Sequence, residues 1–338
     1  MRQVWIPRNG APQVLEVREA TDPTPGPGEL RVRVAAAGVN FADVMARMGL
    51  YPDAPKLPAV VGYEVSGTVD AVGAGVEDVS VGQRIVALTR FGGYSDTVVV
   101  PRAQVQVLPD HVSFEAAAAL PVNYLTAWLM LVHLGNVRPG DKVLVHAAGG
   151  GVGQAAVQIA RWRGAEVFGT ASAGKHERLR ESGVAHCIDY RSQDFHEEVM
   201  RITGGDGVDI VLDALGGEAL ARSYRCLAPL GRVYAFGASS FAPGKRRSLL
   251  AALEGVWKMP TFRPLALMDK NRGVHGVNLG HLWERTEQLN AMLGEILGLV
   301  ADGTFEPVVD RSFPFDQAAD AHTYIQDRKN FGKVLLVP

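Results

Sequence analysis

Lys142-Val-Leu-Val-His-Ala-Ala-Gly-Gly-Gly-Val-Gly153 is the stretch on which the fold turns. Its first half is a short apolar run of strand type, its second a glycine-rich turn, and residues 152–162 then carry apolar side chains at helical spacing. Between a strand and a helix, such a turn lets backbone N–H groups approach a pyrophosphate, while the helix N-terminus adds partial positive charge. A glycine string by itself also suits a tight turn that packs helix on strand, so its neighbours decide between the two. A second apolar run at 165–170 precedes helical sequence at 175–182, and further runs follow at 185–189, 208–213 and 231–236 with helical sequence between them. Strands alternating with helices predict right-handed βαβ units on a doubly wound parallel sheet, a Rossmann domain.

Outward from this core the rhythm differs. Residues 1–120 show short alternating runs punctuated by Gly and Pro, as in the turn-rich Asp22-Pro-Thr-Pro-Gly-Pro-Gly28, and predict strands near 2–6, 30–36, 64–71 and 94–100. One long amphipathic helix is expected over 282–300, with Leu282, Leu289, Leu293, Ile296, Leu297 and Val300 on its apolar side, then a closing strand at 333–337 that rejoins the first domain. The expected fold class is α/β, with a β-rich domain over 1–120 and 282–338 and a dinucleotide-binding domain over 121–281.

With 338 residues and 47% apolar content, the chain has room for two cores. A formal net charge of -2 leaves no basic excess for phosphate backbones, so nucleic acid is not an expected partner. Cys187 and Cys226 are too few for a disulfide framework, and a reducing cytoplasm is the default. The opening Met-Arg-Gln-Val-Trp-Ile-Pro does not read as a secretory signal. The best candidate for a membrane span, 116–134, is interrupted by Pro121, Asn123, Thr126 and His133 and is expected to be a buried helix.

Which dinucleotide binds turns on the end of the second strand, where an acid would accept the ribose 2′-OH. The residues there are Gly169-Thr-Ala-Ser-Ala-Gly-Lys175, with no carboxylate before Glu177. Ser172 and Lys175 are of the type that donates to a 2′-phosphate, and NADPH is the expected cofactor. The plainer alternative makes Lys175 a solvated lysine at a helix start, where the macrodipole slightly disfavours a cation.

These residues resemble the medium-chain dehydrogenase/reductase superfamily, in its zinc-free quinone oxidoreductase branch. The resemblance covers the whole chain and is carried by Gly38-Val-Asn-Phe-Ala-Asp-Val-Met-Ala-Arg-Met-Gly-Leu-Tyr51, by Val145 to Gly153, by Gly169-Thr-Ala-Ser-Ala-Gly-Lys-His176 and by Gly332-Lys-Val-Leu-Leu-Val-Pro338. Asn123-Tyr-Leu-Thr126, Leu134-Gly-Asn136 and Val277-Asn-Leu-Gly-His-Leu282 are similar to the vesicle amine transport protein group within it, and the first motif is also similar to enoyl reductase domains of polyketide synthases. The resemblance implies a GroES-like catalytic domain built from both chain ends, a central Rossmann domain, bound NADPH and a homodimer. Zinc-dependent members carry Cys where this chain has Asn40 and His where it has Tyr63, so no metal is expected. Without a Lewis acid, reduction of a conjugated acceptor is the remaining chemistry.

For such a reduction Asn40 is the candidate donor to a carbonyl, and Tyr51 or Tyr63 the candidate proton source. Each has a structural competitor: Asn40 as a helix cap, Asp43 in the first turn after it, and Tyr51 as a loop anchor ahead of Pro52. Some quinone oxidoreductases have a tyrosine where this chain has Met45. Similarity assigns Thr126 to the carboxamide; Gly150, Gly151, Val152 and Gly153 to the pyrophosphate; and Ser172, Lys175 and Tyr190 to the adenosine end. Phe236, Gly237 and Leu279 are assigned to the nicotinamide, and Asn330 to closure over the cofactor.

An insert over 239–272 contains Lys245-Arg-Arg247 and Trp257-Lys-Met-Pro-Thr-Phe-Arg-Pro264. A lid or a dimer contact is favoured there over contact with an anionic membrane. A sixth sheet strand near 273–278 is the expected dimer edge. The leading functional expectation is an NADPH-dependent reductase of quinones or α,β-unsaturated carbonyls. Its rivals are a lipid- or membrane-associated NADPH-binding protein of weak redox activity, and an enoyl-thioester reductase.

Overall fold

The computed structural model of the chain describes residues 1–242, 244 and 248–338, the side chains of Leu249 and Ala252 excepted. The basic Lys245-Arg-Arg247 cluster therefore lies outside the described residues. The chain divides into two compact units, one built mainly on Met1–Leu125 and Leu279–Pro338, the other mainly on 126–242 and Ser248–Asn278.

The first unit is rich in strands: β1 (Arg2–Ile6), β2 (Glu16–Glu19), β3 (Glu29–Val39), β4 (Ala59–Val60), β5 (Glu64–Val72), β6 (Arg84–Leu88), β7 (Thr97–Pro101), β8 (Val105–Val107), β15 (Val309–Pro314) and β16 (Lys333–Val337). A seven-stranded sheet runs β15-β16-β3-β5-β6-β8, with β7 also paired to β3. β3 shows how sequence sets its burial: Leu30, Val32 and Val34 face the core, while Arg31 and Arg33 point out and share Asp70 at 2.8 and 2.7 Å. From Ala36 to Asn40 both faces are buried, so the alternation stops. Val4, Ile6, Leu30, Val65, Ile85, Phe313 and Leu336 belong to the core of this unit.

The second unit holds β9 (Lys142–Val145), β10 (Glu166–Ala171), β11 (His186–Asp189), β12 (Val208–Asp213), β13 (Leu227–Ala235) and β14 (Gly273–Gly276), ordered β11-β10-β9-β12-β13-β14 and parallel throughout. This is the doubly wound arrangement expected, with order reversing between β9 and β12. Leu144, Phe168, Ile188, Val211 and Val233 form its core. β14 is an edge strand.

The helices are α1 (Phe41–Met48), α2 (Phe114–Ala118), α3 (Pro121–Trp128), α4 (Gly151–Trp162), α5 (His176–Glu181), α6 (Phe195–Ile202), α7 (Gly217–Arg225), α8 (Leu249–Trp257), α9 (Pro264–Lys270), α10 (Thr286–Ala301) and α11 (Ala318–Gln326). Three sequence expectations are corrected. The stretch 116–134 is not one helix but α2, α3 and a π-helical turn at Leu129–His133, because Pro121 cannot donate and its ring excludes a preceding helical carbonyl. The long helix begins at Thr286 rather than 282, since Leu282 lies between two 3₁₀ turns. The strand expected at 94–100 begins only at Thr97, because the Tyr94 N–H is taken by Val61 in a loop contact. Among the described residues no helix is long and apolar enough to cross a membrane. α8 and α9 expose Leu250, Leu253, Val256, Trp257, Leu265 and Met268, with Trp257 83% accessible.

Candidate active site

In the second unit the carboxyl ends of the parallel strands share one edge of the sheet, and the expected nucleotide residues cluster along it. Gly150 caps α4 in extended backbone, after the turn over 146–149 that follows β9. A Cβ at Gly153 would fall 2.3 Å from the Ala147 carbonyl oxygen, so only glycine lets the helix pack this closely on the turn. Register pairs Ala171 of β10 with Asp189 of β11, which sets Ser172 and Tyr190 at adjacent strand ends. Lys175 follows in a 3₁₀ turn whose N–H bonds the Ser172 carbonyl at 2.9 Å. Phe236 and Gly237 follow β13, and a Cβ at Gly237 would lie 2.8 Å from the Ala214 carbonyl oxygen. Thr126 is buried in α3.

Beneath this edge lies a buried hydrogen-bond chain. The His146 ring nitrogens are each 3.0 Å from a hydroxyl, Nδ1 from Thr170 and Nε2 from Ser223. Ser223 donates to Asp213 Oδ2 at 2.6 Å, and Asp213 Oδ1 accepts the N–H groups of Leu215 and Gly216 at 2.8 Å each. With the serine hydrogen committed to the carboxylate, Nε2–H must donate to Ser223 and Nδ1 must accept from Thr170. Burial lowers the His146 pKa and keeps the ring neutral. Every polar atom of the ring is used, so this chain fixes strand ends and leaves no group free to react.

The first unit builds a second buried cluster from three neighbouring strands. Val334 of β16 pairs with Val39 of β3, which sets Lys333 opposite Asn40, and Ala37 of β3 pairs with Val65 of β5, which sets Glu64 opposite Gly38, two residues from Asn40 on the same face. Lys333 Nζ donates to Asn40 Oδ1 at 2.7 Å and also to Glu64 Oε1. Asn40 Nδ2 donates to Glu64 Oε1 at 2.9 Å, and Glu64 Oε2 accepts the Val122 N–H at 2.7 Å. A Cβ at Gly38 would lie 2.3 Å from Glu64 Oε1, so the absent side chain makes room for the carboxylate.

Asn40 is also the N-cap of α1, as the structural alternative had it, in a capping box with Asp43, whose carboxylate accepts the Asn40 N–H at 2.8 Å. The α1 C-terminus closes at Gly49 in the left-handed conformation, φ 68°. Asp43 further accepts the Gly62 N–H at 3.2 Å and the Tyr94 hydroxyl at 3.0 Å, and Tyr94 lies 3.3 Å from His322 Nε2. One buried carboxylate thus ties together the backbone of Asn40 and the residue preceding Tyr63. Desolvation pushes Asp43 up to about 7. Tyr63 packs edge-on to Tyr51 at 6.5 Å and against Phe91 at 5.2 Å, and burial, with Asp43 and Tyr51 nearby, holds its phenol far above the ordinary tyrosine range. Asn330 donates to the Gly332 carbonyl at 2.9 Å, and Leu279 opens a 3₁₀ turn.

Within the first unit, then, Asn40, Tyr51 and Tyr63 belong to one neighbourhood organised by Asp43; within the second, Gly150–Gly153, Ser172, Tyr190, Phe236 and Gly237 follow neighbouring strand ends. Sequence reading missed Glu64 and Lys333 as members of the Asn40 cluster. Their signal was a charge at the first position of a strand: Glu64 opening Val65-Ser-Gly, and Lys333 opening the apolar Val334-Leu-Leu-Val.

Residues 26–110 match the alcohol dehydrogenase GroES-like domain, and residues 182–336 match a model described as a zinc-binding dehydrogenase. The chain is 46% identical over 325 residues to a Mus musculus synaptic vesicle membrane protein VAT-1 homolog, covering 96% of this chain and 80% of that protein. It belongs to the medium-chain dehydrogenase/reductase superfamily. Among solved structures, the Escherichia coli quinone oxidoreductase complexed with NADPH superposes with TM-score 0.87 at 31% identity over 100% of both chains. The CurK enoyl reductase does so with TM-score 0.85 at 32% identity over 99% of this chain and 98% of that one. The chain is accordingly an oxidoreductase of this superfamily type, with its GroES-like and Rossmann units. At the two positions where the sequence resemblance places the Cys and His of zinc-dependent members, this chain has the amide of Asn40 and the phenol of Tyr63, neither an ordinary zinc ligand. Among the described residues no group of three His, Cys, Asp or Glu could hold a metal ion.

Proposed function

We propose that the protein is a zinc-independent, NADPH-dependent reductase of quinones or α,β-unsaturated carbonyls. The observation that carries this is the end of β10, where Ser172 and Lys175 occupy the place of a ribose-reading carboxylate. The residues fit the cofactor: the glycine-rich turn Gly150-Gly-Val-Gly153 meets its pyrophosphate at the N-terminus of α4, Ser172 and Lys175 meet its 2′-phosphate, and Tyr190 lines its adenosine end. Thr126, Phe236, Gly237 and Leu279 are proposed to line the nicotinamide half, and Asn330 to close over the cofactor. When bound, the reduced nicotinamide supplies a hydride to a quinone or to the β-carbon of an enone.

Asn40 then holds the carbonyl oxygen. Its Nδ2 has one hydrogen on Glu64 and the other without an acceptor among the described residues, while the residue as a whole keeps 8% exposure. That second hydrogen meets the negative charge developing on the oxygen. The phenols of Tyr51 and Tyr63, the latter kept neutral by burial, supply or relay the proton that completes the reduced product. The enoyl reductase neighbour favours a second reading, a thioester-conjugated alkene as acceptor, which uses the same atoms. NADPH consumption against a panel of quinones, enones and enoyl thioesters tests the proposal: turnover is expected with at least one class, and binding of NADPH without turnover of any would overturn it. A homodimer is proposed through the open edge of β14; a monomer mass by light scattering would refute it.

A further inference from the structure

We infer that Lys333 and Glu64 are positioning residues for the reduction: the ammonium polarises the Asn40 amide and the carboxylate fixes which way that amide faces. This rests on the proposed role of Asn40 as carbonyl donor. The amide could present either its oxygen or its nitrogen outward, but an ammonium only donates and a carboxylate only accepts. Lys333 Nζ at 2.7 Å from Oδ1 and Glu64 Oε1 at 2.9 Å from Nδ2 therefore leave a single orientation, with oxygen inward and one N–H unspent. A cation on the amide oxygen draws electron density from the nitrogen and strengthens that remaining N–H as a donor.

The cost of this arrangement points the same way. Lys333 is 2% and Glu64 0% exposed, and a buried ion pair is often no more stabilising than apolar residues of similar volume. The strands nevertheless accommodate it by leaving Gly38 without a side chain, since a Cβ there would lie 2.3 Å from Glu64 Oε1. The Val122 N–H at 2.7 Å holds the second carboxylate oxygen, so the pair is braced on both sides. Lys333 Nζ already donates to Asn40 and Glu64 and the residue is almost wholly buried, which is why its role is assigned through the amide.

The test compares wild type with Asn40→Ala, Lys333→Met, Glu64→Gln and the Glu64→Gln/Lys333→Met double variant. Each is measured for kcat and KM with NADPH and a para-quinone, for NADPH affinity by fluorescence, and for Tm. Lys333→Met and the double variant are expected to lower kcat by about 10- to 100-fold, somewhat less than removal of an oxyanion donor itself. NADPH affinity should change less than about threefold, and the double variant, which leaves no buried charge unpaired, should regain Tm. Glu64→Gln keeps the cation but no longer fixes which way the amide faces, and should lower kcat by about 3- to 10-fold, less than Lys333→Met, while lowering Tm. If Lys333→Met does not fold, the double variant carries the comparison. Wild-type kcat in the double variant would overturn the inference, and so would equal kcat losses in Lys333→Met and Glu64→Gln, the pattern of two residues that only support the fold. An undiminished kcat in Asn40→Ala would instead refute the underlying role of Asn40.

Discussion

Two buried polar clusters, one in each unit, use similar groups to opposite ends. In the second unit His146, Thr170, Ser223 and Asp213 pass hydrogens along a chain that ends on two backbone N–H groups, and the ring has no donor or acceptor left over. In the first, Lys333, Glu64 and Asn40 close around each other and still leave one amide hydrogen. A Ser, a His and an Asp in contact do not make a nucleophile when the serine hydrogen already belongs to the carboxylate. A spent network stabilises; an unspent donor at the margin of a buried charge pair is equipped for chemistry.

The sharpest way to break this contrast is Asp213→Ala. It strands the Leu215 and Gly216 N–H groups and the Ser223 hydroxyl, and should cost about 3–5 kcal/mol by urea unfolding, as for other buried charged acceptors. A loss under about 1 kcal/mol would mean the chain is not structural. Next is Lys175→Ala, expected to weaken NADPH binding by about 1–3 kcal/mol and NADH binding hardly at all, with Tm unchanged. Equal weakening toward both cofactors would make Lys175 structural and remove the main support for NADPH.

The pH dependence of stability separates one buried group of each unit, Asp43 and His146, whose contributions have opposite signs. Asp43, raised to about 7, binds its proton more tightly when folded, so its contribution to stability falls as pH rises from about 4 to 7 and is constant above. His146, lowered in the fold, contributes stability that is full above the unfolded histidine value near 6.5 and is lost as pH falls below it. Asp43→Asn should remove the first slope and leave the second. Unfolding free energies from pH 4.5 to 8 check this, and an unchanged slope would show that Asp43 does not titrate there.

Most of the Rossmann unit was readable because Lys142 to Gly153 is contiguous: strand, turn and helix follow one another, and Gly153 shows why glycine stands there. The Asn40 cluster was readable only in part. Asn40 and Tyr63 stood out by their types, but Lys333 and Glu64 lie far apart in sequence and meet through strand register alone. Gly38 carried no hint that it clears space for a carboxylate on another strand. Asp43 was expected in a first helical turn, which is where it lies, yet nothing local foretold its bonds to Gly62 and Tyr94.

The central claim is that the unspent donor performs the chemistry and the spent chain does not. Asn40→Ala and Ser223→Ala, assayed side by side for kcat with NADPH and a quinone at equal folded concentration, test it most directly. The account predicts that Asn40→Ala loses about 100-fold or more in kcat with NADPH affinity retained, whereas Ser223→Ala lowers Tm and keeps kcat within about threefold. Comparable kcat in the two variants, or a greater loss in Ser223→Ala, would contradict it.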